Sequence, residues 1–260
     1  MSTKSVTDFK QLEINGKVVQ YIEFGTGEKT LVMVHGFPGR PQDFRWLNEH
    51  LQEQFRVIQI ALPAMGYTAL EACAETSLEK RAQFVSSFLD HLKIEKCWLL
   101  GHSIGGALSI VIASKEPKRI DRLLLLASFG LRPHKAYRQL PPKFIFTMSQ
   151  LPVLCWLIMP IMRKGFTARG FAKGITDESI VHTLRCLYAI DFTAIRSYVS
   201  NLRCPTMNIW AQNDPLIEAA VQVELSSQLP DGPRISFERG GHNPQKSHAE
   251  DISEKIIAWQ

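Results

Sequence analysis

The sequence has few of the features that mark secreted, membrane-anchored or metal-binding proteins. Residues Met1 to Asp8 contain no apolar stretch, so we expect no cleaved secretory signal and, by default, a cytoplasmic location. The five cysteines are an odd number without a Cys-x-x-Cys pair, which argues against a disulfide framework and against a zinc site. Internal repeats and low-complexity tracts are also missing. We therefore expect a globular chain whose thiols are reduced and mostly buried.

Acidic residues are missing from one segment of the chain. Between Phe129 and Thr176 there are eight basic residues and no Asp or Glu, whereas the whole chain has a net charge of +5. Without those eight residues the rest of the chain has a charge of −3, so the overall composition does not indicate a nucleic-acid-binding protein. The basic residues are Arg132, Lys135, Arg138, Lys143, Arg163, Lys164, Arg169 and Lys173.

Short apolar runs alternate with helical patterns along most of the chain. A length of 260 residues fits one α/β domain that carries an insertion. Because strands covered on both faces are short and aliphatic, this alternation predicts a mostly parallel sheet of about eight strands with helices on both faces. The predicted parallel strands are Val57–Leu62, Cys97–Leu100, Leu123–Ala127, Thr206–Trp210 and Arg234–Phe237.

Three local predictions accompany this architecture. Val18–Phe24 and Thr30–Val34, separated by Gly25-Thr26-Gly27, are expected to form an antiparallel pair at the start of the sheet. Thr76 and Glu79 have the spacing of a capping box, and a helix should begin there with one apolar face. The last helix should run from about His248 to Trp259. The apolar face of the capped helix consists of Leu78, Ala82, Val85, Phe88, Leu89 and Leu92.

The alternation of strands and helices stops between residues 132 and 200. Five prolines are scattered there among apolar residues and short helical patterns. We therefore predict an inserted helical cap over 132–200, with a core formed by residues 1–131 and 201–260. The prolines are Pro133, Pro141, Pro142, Pro152 and Pro160.

A serine lies between glycines where a predicted strand meets a predicted helix. The stretch is Gly101-His102-Ser103-Ile104-Gly105-Gly106, and the helical pattern Ala107–Ala113 follows it. Such a turn strains the backbone at the serine, and side chains at Gly101 or Gly105 would collide with neighbouring chain. This layout is typical of a nucleophile elbow. The alternative is that Ser103 is a plain small residue in a tight turn.

Two later loops offer the base and the acid that a serine nucleophile needs. The hydroxyl must lose its proton to a base, and a third group must orient that base. Asp214 follows the strand Thr206–Trp210 and His242 follows the strand Arg234–Phe237, at strand ends where ligands bind in open α/β sheets. The chain order Ser103, Asp214, His242 is the order that accompanies such an elbow.

Both partners of the serine have alternatives. Asp214 precedes Pro215 and also suits an Asx turn, which is compatible with an orienting role, and Glu218 is the nearest substitute acid. His248 is a second candidate base. It lies at the start of a predicted helix rather than directly after a strand, so we favour His242.

These motifs resemble the α/β-hydrolase fold family, in particular its serine carboxylesterase-like and lipase-like members, over nearly the whole chain apart from the cap. His35-Gly36-Phe37-Pro38 resembles the family's oxyanion loop. The resemblance implies that the backbone N–H groups of Phe37 and Ile104 hold the oxyanion, and losing one such donor typically costs about 10²–10³ in turnover. His35 and His102 flank this site, and we interpret both as structural or pocket-lining.

The loops after two of the predicted strands can be compared with the family pattern. After the fourth strand the family often has an acidic residue and a glycine-rich turn, whereas Ala61–Thr68 contains no charge, which leaves the part played by this loop open. In some members the triad acid follows the preceding strand instead. Ser128-Phe129-Gly130 has no carboxylate at that position, which favours Asp214.

A long uncharged run lies within the predicted cap. Phe144 to Met162 is nineteen residues long, with Lys143 and Arg163-Lys164 at its ends, so its length alone would allow a membrane span. A span would separate the elbow from its base, and polar residues and prolines interrupt the run. We expect a lid that roofs an acyl pocket, with basic residues facing water or an anionic membrane surface. The alternative is a solvated basic face without a partner.

The residues together predict a cofactor-independent serine hydrolase that cleaves carboxylic esters, with a medium or long apolar acyl group favoured. By the resemblance, carbon–carbon bond hydrolases, thioesterases, lactonases and cofactor-free haloperoxidase-like enzymes also use a serine, and a non-catalytic small-molecule receptor is a further alternative. Haloalkane dehalogenases and epoxide hydrolases of the family use an aspartate at the position of Ser103. We expect no metal and no nucleic-acid partner. The physiological substrate and the oligomeric state stay open.

Overall fold

An eight-stranded sheet forms the centre of the protein. The computed structural model describes residues 8–139, 142–168 and 175–260. The strands are β1 (Phe9–Ile14), β2 (Lys17–Phe24), β3 (Lys29–Val34), β4 (Phe55–Ile60), β5 (Cys97–His102), β6 (Ile120–Leu126), β7 (Thr206–Ala211) and β8 (Arg234–Phe237). They lie in the order β1-β2-β4-β3-β5-β6-β7-β8, and all pairs from β4 to β8 are parallel. The predicted α/β fold class is confirmed.

The antiparallel edge of the sheet differs from the prediction. β2 pairs with β1 and with β4, both antiparallel, while β3 lies between β4 and β5. The predicted pairing of Val18–Phe24 with Thr30–Val34 is therefore wrong. The glycine segment after β2 does not form a hairpin, because the chain crosses the end of β4 at this segment. Thr26 in the segment donates a 2.9 Å hydrogen bond to the carbonyl of Gln52.

The described residues form ten α-helices. They are α1 (Arg45–Leu51), α2 (Leu78–His91), α3 (Ile104–Lys115), α4 (Lys135–Gln139), α5 (Pro142–Ser149), α6 (Pro152–Ala168), α7 (Asp177–Tyr188), α8 (Phe192–Ser200), α9 (Ala219–Gln228) and α10 (Ala249–Ala258). Helices α1 and α10 cover one face of the sheet, and α2, α3, α8 and α9 contribute to the core on the other face. Alternate residues of β3 divide between the two cores: Val32 and Val34 on one face, Leu31 and Met33 on the other. Both faces of β3 are therefore buried, which is why this strand is an aliphatic run.

Helix α2 begins with a different cap from the one predicted. The Oγ of Ser77 accepts the N–H of Lys80 at 3.3 Å, so a capping box of Thr76 with Glu79 is wrong. The carboxylate of Glu79 instead accepts the hydroxyl of Tyr198 at 3.1 Å. The apolar face is as predicted, with Leu92 partly buried. Its fully buried members are Leu78, Ala82, Val85, Phe88 and Leu89.

Helices α4 to α8 lie between β6 and β7, in the stretch predicted to be a cap. Met159, Ile180 and Leu184 form a buried cluster of their own, separate from the two cores of the sheet. Within the described ranges of the chain, none of the helices combines the length and the apolar character needed to cross a membrane. Some residues used in the sequence predictions lie outside the described residues, namely residues 1–7, Pro141, Arg169 and Lys173.

Candidate active site

Three side chains from different strand ends meet in a hydrogen-bonded line. His242 Nε2 lies 3.0 Å from Ser103 Oγ, and His242 Nδ1 lies 2.8 Å from Asp214 Oδ2. All three residues are buried. They follow β8, β5 and β7 respectively, at the carboxyl edge of the parallel strands. In the tautomer that donates Nδ1–H to the carboxylate, Nε2 is free to accept the hydroxyl proton of Ser103.

Ser103 is held in a strained conformation between β5 and α3. Its φ of 56° and ψ of −125° lie in a region that residues with side chains rarely adopt. A Cβ added to Gly105 would lie 2.5 Å from the carbonyl oxygen of His35, and one added to Gly101 would lie 2.5 Å from Ser109 Oγ. One added to Gly106 would collide with Ser128. The glycines therefore let strand and helix approach closely around a one-residue turn.

The loop after β3 and the first turn of α3 place the two predicted oxyanion donors beside Ser103. A Cβ on Gly36 would lie 2.9 Å from Ser103 Cβ, so this close backbone approach needs glycine. Phe37 follows directly and lines the same cavities as Ser103. Ile104 is the first residue of α3, where N–H groups have no partner within the helix and the dipole favours negative charge. Both donors therefore belong to segments that border Ser103.

His35 and His102 hold the loops of the site in place. His35 is fully buried, accepts the N–H of Leu62 at Nε2 over 3.0 Å and donates from Nδ1 to the carbonyl of Gly36 over 2.8 Å. Burial lowers its pKa to about 4, so the ring is neutral. His102 donates from Nε2 to the carbonyl of His242 over 2.8 Å. Burial and then the neighbouring His242 lower the pKa of His102 to about 3.

Asp214 performs two tasks with its two oxygens. Oδ1 accepts the N–H groups of Leu216 at 2.8 Å and Ile217 at 3.1 Å, which is the predicted Asx turn. Oδ2 faces His242. Burial alone would raise the pKa of Asp214, but His242 and the two N–H groups outweigh it and hold the pKa below its usual value. The carboxylate is therefore ionised and fixed in orientation.

The substitute acid and the substitute base lie outside this line. Glu218 accepts the N–H of Lys135 and pairs with Arg138 at 2.8 Å. His248 stacks on Phe237 with ring centroids 4.0 Å apart and contacts the carbonyl of Arg239. Neither has a hydrogen bond to the three-residue line among the described residues. The described residues also contain no group of three or more His, Cys, Asp or Glu side chains that could hold a metal ion.

Two cavities meet at Ser103. The larger has a volume of about 340 Å³ and a wall of mixed polar and apolar residues that includes Arg40, Lys246 and Asp43. The smaller has a volume of about 70 Å³ and is mainly apolar. Its wall includes Phe129, Tyr137, Leu187 and Leu216 from core and cap, and Met162 and Phe166 from α6. The uncharged loop Ala61–Thr68 supplies Met65, Gly66 and Tyr67 to the larger cavity, and Ala64 anchors it with an N–H to the carbonyl of Thr68.

Arg81 is a residue of the site that the sequence did not indicate. Its guanidinium is buried, lies 4.6 Å from the ring centre of Phe37 and donates to His182 Nε2 at 2.6 Å and to the carbonyl of Pro63 at 3.3 Å. It therefore joins the loop after β3 to helix α7. Burial and then Arg81 lower the pKa of His182 to about 4, which keeps the ring neutral as an acceptor.

His134 is a second residue that was not predicted. It precedes α4, packs edge-on against Phe129 with ring centroids 4.3 Å apart, and lines the apolar cavity. Burial and then His242 lower its pKa to about 4. Among the described residues its Nδ1 has no hydrogen-bond partner. No local motif marks it, since it joins the site only through the packing of the segment between β6 and β7.

Known proteins similar to this chain belong to one fold family. The model of the alpha/beta hydrolase fold matches residues 29–151. A dihydrolipoyllysine-residue acetyltransferase component of an acetoin cleaving system from Pseudomonas putida is 37% identical over 263 residues, covering 96% of this chain and 68% of that protein. The chain therefore belongs to the α/β-hydrolase fold family, and the resemblance seen in the sequence is confirmed.

Other relatives carry names of different hydrolases. A pimeloyl-(acyl-carrier protein) methyl ester esterase from Aliivibrio fischeri is 25% identical and covers 87% of this chain and 91% of that protein. A 2-hydroxy-6-oxononadienedioate/2-hydroxy-6-oxononatrienedioate hydrolase from Burkholderia vietnamiensis is 24% identical, with 93% and 90% covered. The solved structure of the enol-lactonase from Burkholderia xenovorans is similar with a TM-score of 0.76 at 16% identity, covering 96% of this chain and 99% of that one. The chain is a hydrolase by family.

Proposed function

We propose that this protein is a serine hydrolase that cleaves carboxylic esters with a medium or long apolar acyl group. The observation that carries the proposal is the hydrogen-bonded line from Asp214 through His242 to Ser103, which lies where a cavity with charged residues in its wall meets an apolar cavity. The proposed reaction uses only side chains, backbone N–H groups and water.

In the proposed reaction Ser103 Oγ attacks the ester carbonyl while its proton passes to His242 Nε2. Asp214 stabilises the resulting imidazolium, and the backbone N–H groups of Phe37 and Ile104 stabilise the oxyanion. His242 then gives the proton to the departing alkoxide, and an acyl-enzyme remains. Water attacks this ester with His242 again as base, and the acid and free Ser103 are released.

The two cavities support the preference for an apolar acyl group. A hydrocarbon chain gains most in a cavity whose wall is aromatic and aliphatic, as around Tyr137, Leu187 and Leu216. The larger cavity, with charged side chains in its wall, suits the more polar alcohol portion. The relative from Aliivibrio fischeri, named as a methyl ester esterase, supports an ester substrate.

A second candidate function is hydrolysis of a carbon–carbon bond in a substrate that carries a carboxylate. Arg40 and Lys246 line the larger cavity and outnumber Asp43, so an anionic group would be attracted there. The relative from Burkholderia vietnamiensis is named for a substrate with two carboxylates, which supports this candidate. Ser103, His242 and Asp214 would have the same positions in either reaction.

The test is hydrolysis of p-nitrophenyl esters from acetyl to dodecanoyl, with Ser103→Ala as the blank. We expect turnover to rise with chain length beyond acetyl and to fall by at least about 10⁴-fold in Ser103→Ala. His242→Gln should behave in the same way. His248→Gln changes the other candidate histidine and should leave turnover nearly unchanged.

Other outcomes would redirect the proposal. A best substrate at acetyl would contradict the apolar acyl preference while keeping the serine mechanism. Absence of serine-dependent hydrolysis at every length would contradict the ester proposal. In that case, cleavage of a carboxylate-bearing dienone substrate would favour the second candidate, and ligand-dependent melting without any turnover would favour a receptor.

A further inference from the structure

From Pro152 to Met162, helix α6 is apolar around its whole circumference although it lies at the surface. One side of the helix points inward, where Met159 is buried and Met162 and Phe166 line the apolar cavity. A helix that is hydrophobic all round normally has both sides covered. None of the described residues covers the outward side of α6, which is open to solvent in this part of the chain.

The outward side is a continuous stripe of large apolar side chains. Val153, Trp156, Leu157 and Ile161 are 71%, 77%, 50% and 70% exposed. Together with the exposed Pro160 they follow the spacing i, i+3, i+4, i+7 and i+8 of one helix face. Contiguous exposed apolar patches of this kind mark interaction sites rather than ordinary surface. We call this side of α6 the apolar stripe.

Two neighbouring residues extend the apolar surface. Leu151, in the turn before α6, is 49% exposed, and Phe144 on α5 is 62% exposed. Helices α5 and α6 contain no Asp or Glu, while Lys143, Arg163 and Lys164 are exposed at their ends. Arg163 pairs with Asp177 of α7 at 2.8 Å. Lys164 lies on the same side of α6 as the apolar stripe, three residues beyond Ile161.

We propose that the apolar stripe of α6 docks onto the surface of an anionic lipid bilayer, with the helix parallel to the membrane plane. An interfacial helix combines a wide apolar face with basic residues that meet anionic headgroups, and long lysine stems let the charge reach water. The indole N–H of Trp156 is the one hydrogen-bonding group among the stripe's side chains from Val153 to Ile161, whereas protein interfaces usually hold about one hydrogen bond per 100–200 Å². Apolar surface with basic ends and no acid complements anionic lipid better than a protein partner.

Docking in this orientation has a consequence for the site. Met162 and Phe166 belong to the roof of the apolar cavity beside Ser103, on the opposite side of the same helix. The membrane would therefore lie one helix diameter from the cavity proposed for the acyl chain. The docking itself does not depend on the proposed esterase activity.

The experiment measures binding of the Ser103→Ala protein to vesicles, so that lipid hydrolysis cannot interfere. We expect sedimentation with vesicles of phosphatidylglycerol and phosphatidylcholine, a blue shift of Trp156 emission that is missing in Trp156→Phe, and weaker binding at high salt. Val153→Ser with Ile161→Ser should lower the partition coefficient about tenfold or more. Lys164→Ser should lower it about fivefold on anionic vesicles.

Val223→Ser is the matched control, because Val223 is 58% exposed on α9, outside the α5 and α6 region. It should leave binding unchanged. Absence of binding to anionic vesicles at low salt overturns the proposal, as does equal binding to pure phosphatidylcholine. A stable dimer in solution that dissociates in Val153→Ser with Ile161→Ser also overturns it and assigns the stripe to a second copy of the chain. Absence of esterase activity in the unsubstituted protein, with vesicle binding intact, would overturn only the proposed function.

Discussion

Lowering the pH from 7 toward 4 should unfold this protein through four buried histidines. His35, His134 and His182 have their pKa lowered from 6.5 to about 4 and His102 to about 3, with burial as the largest cause in each. His35 and His182 also accept hydrogen bonds at Nε2, from Leu62 and Arg81, and a proton there would break them. The folded protein therefore keeps these rings neutral.

The size of the effect follows from the pKa values. Because the folded pKa values are depressed, the unfolded chain binds protons below pH 6.5 that the folded protein does not bind until about pH 4. Stability is therefore complete above pH 6.5 and decreases as the pH falls. A pKa difference of one unit corresponds to 1.36 kcal/mol, so protonation of each histidine lowers the free energy of unfolding by about 3 kcal/mol across this window. Four of them together match the whole stability of a typical domain, about 5–15 kcal/mol.

The assay is urea unfolding at several pH values between 8 and 4. The slope of the unfolding free energy against pH gives the number of protons taken up on unfolding, and near pH 5 we expect three to four, or about 4–5 kcal/mol per pH unit. His182→Gln, whose amide oxygen can accept from Arg81, should reduce the uptake by about one. His91→Gln, at an exposed imidazole, is the control. An uptake of one proton or fewer near pH 5 would refute the reasoning.

Three further predictions concern the site itself. Asp214→Asn should lower kcat by about 10⁴ with little loss of stability, because the amide keeps the Asx turn but donates toward His242 and favours the wrong tautomer; a kcat within tenfold of the parent would contradict this. Gly105→Ala should lower the free energy of unfolding in urea by about 3 kcal/mol or more, because its Cβ would press on the carbonyl of His35. An unchanged urea midpoint would show that the turn around Ser103 can relax. Ala136→Phe should fill part of the apolar cavity and lower kcat/KM for dodecanoyl esters about tenfold relative to short esters. This magnitude corresponds to about two methylenes of the acyl chain that are no longer buried. Equal effects at all chain lengths would place the acyl chain elsewhere.

Much of the site could be predicted from the sequence because its signals are local. The turn around Ser103 needs small neighbours within two residues, and Asp214 and His242 each follow a short strand directly. Strand ends in a parallel sheet meet at one edge, so the positions of these loops follow from the order of elements. The Asx turn at Asp214 is likewise predicted locally, because Asp214 directly precedes Pro215.

The errors concern contacts between distant parts of the chain. β1 was not predicted because, as an edge strand, it buries only Ile14 fully and its pattern is mixed with charges. The pairing of β2 with β4 rather than β3 depends on a crossing over residues 25–27 that no hairpin signal reveals. Arg81 and His182 are 101 residues apart, and an arginine within a helical pattern gives no sign that it will be buried.

The contact between Arg81 and His182 limits how the cap can be exchanged in engineering. A cap transplanted from another family member would have to bring an acceptor to the position of His182, or else Arg81 would keep a buried donor without a partner beneath Phe37. Chimaeras of this chain should therefore be designed with Arg81 and helix α7 as one inherited unit. The loop that carries Phe37 and the helix that packs beside it would then be transferred together rather than as separate modules.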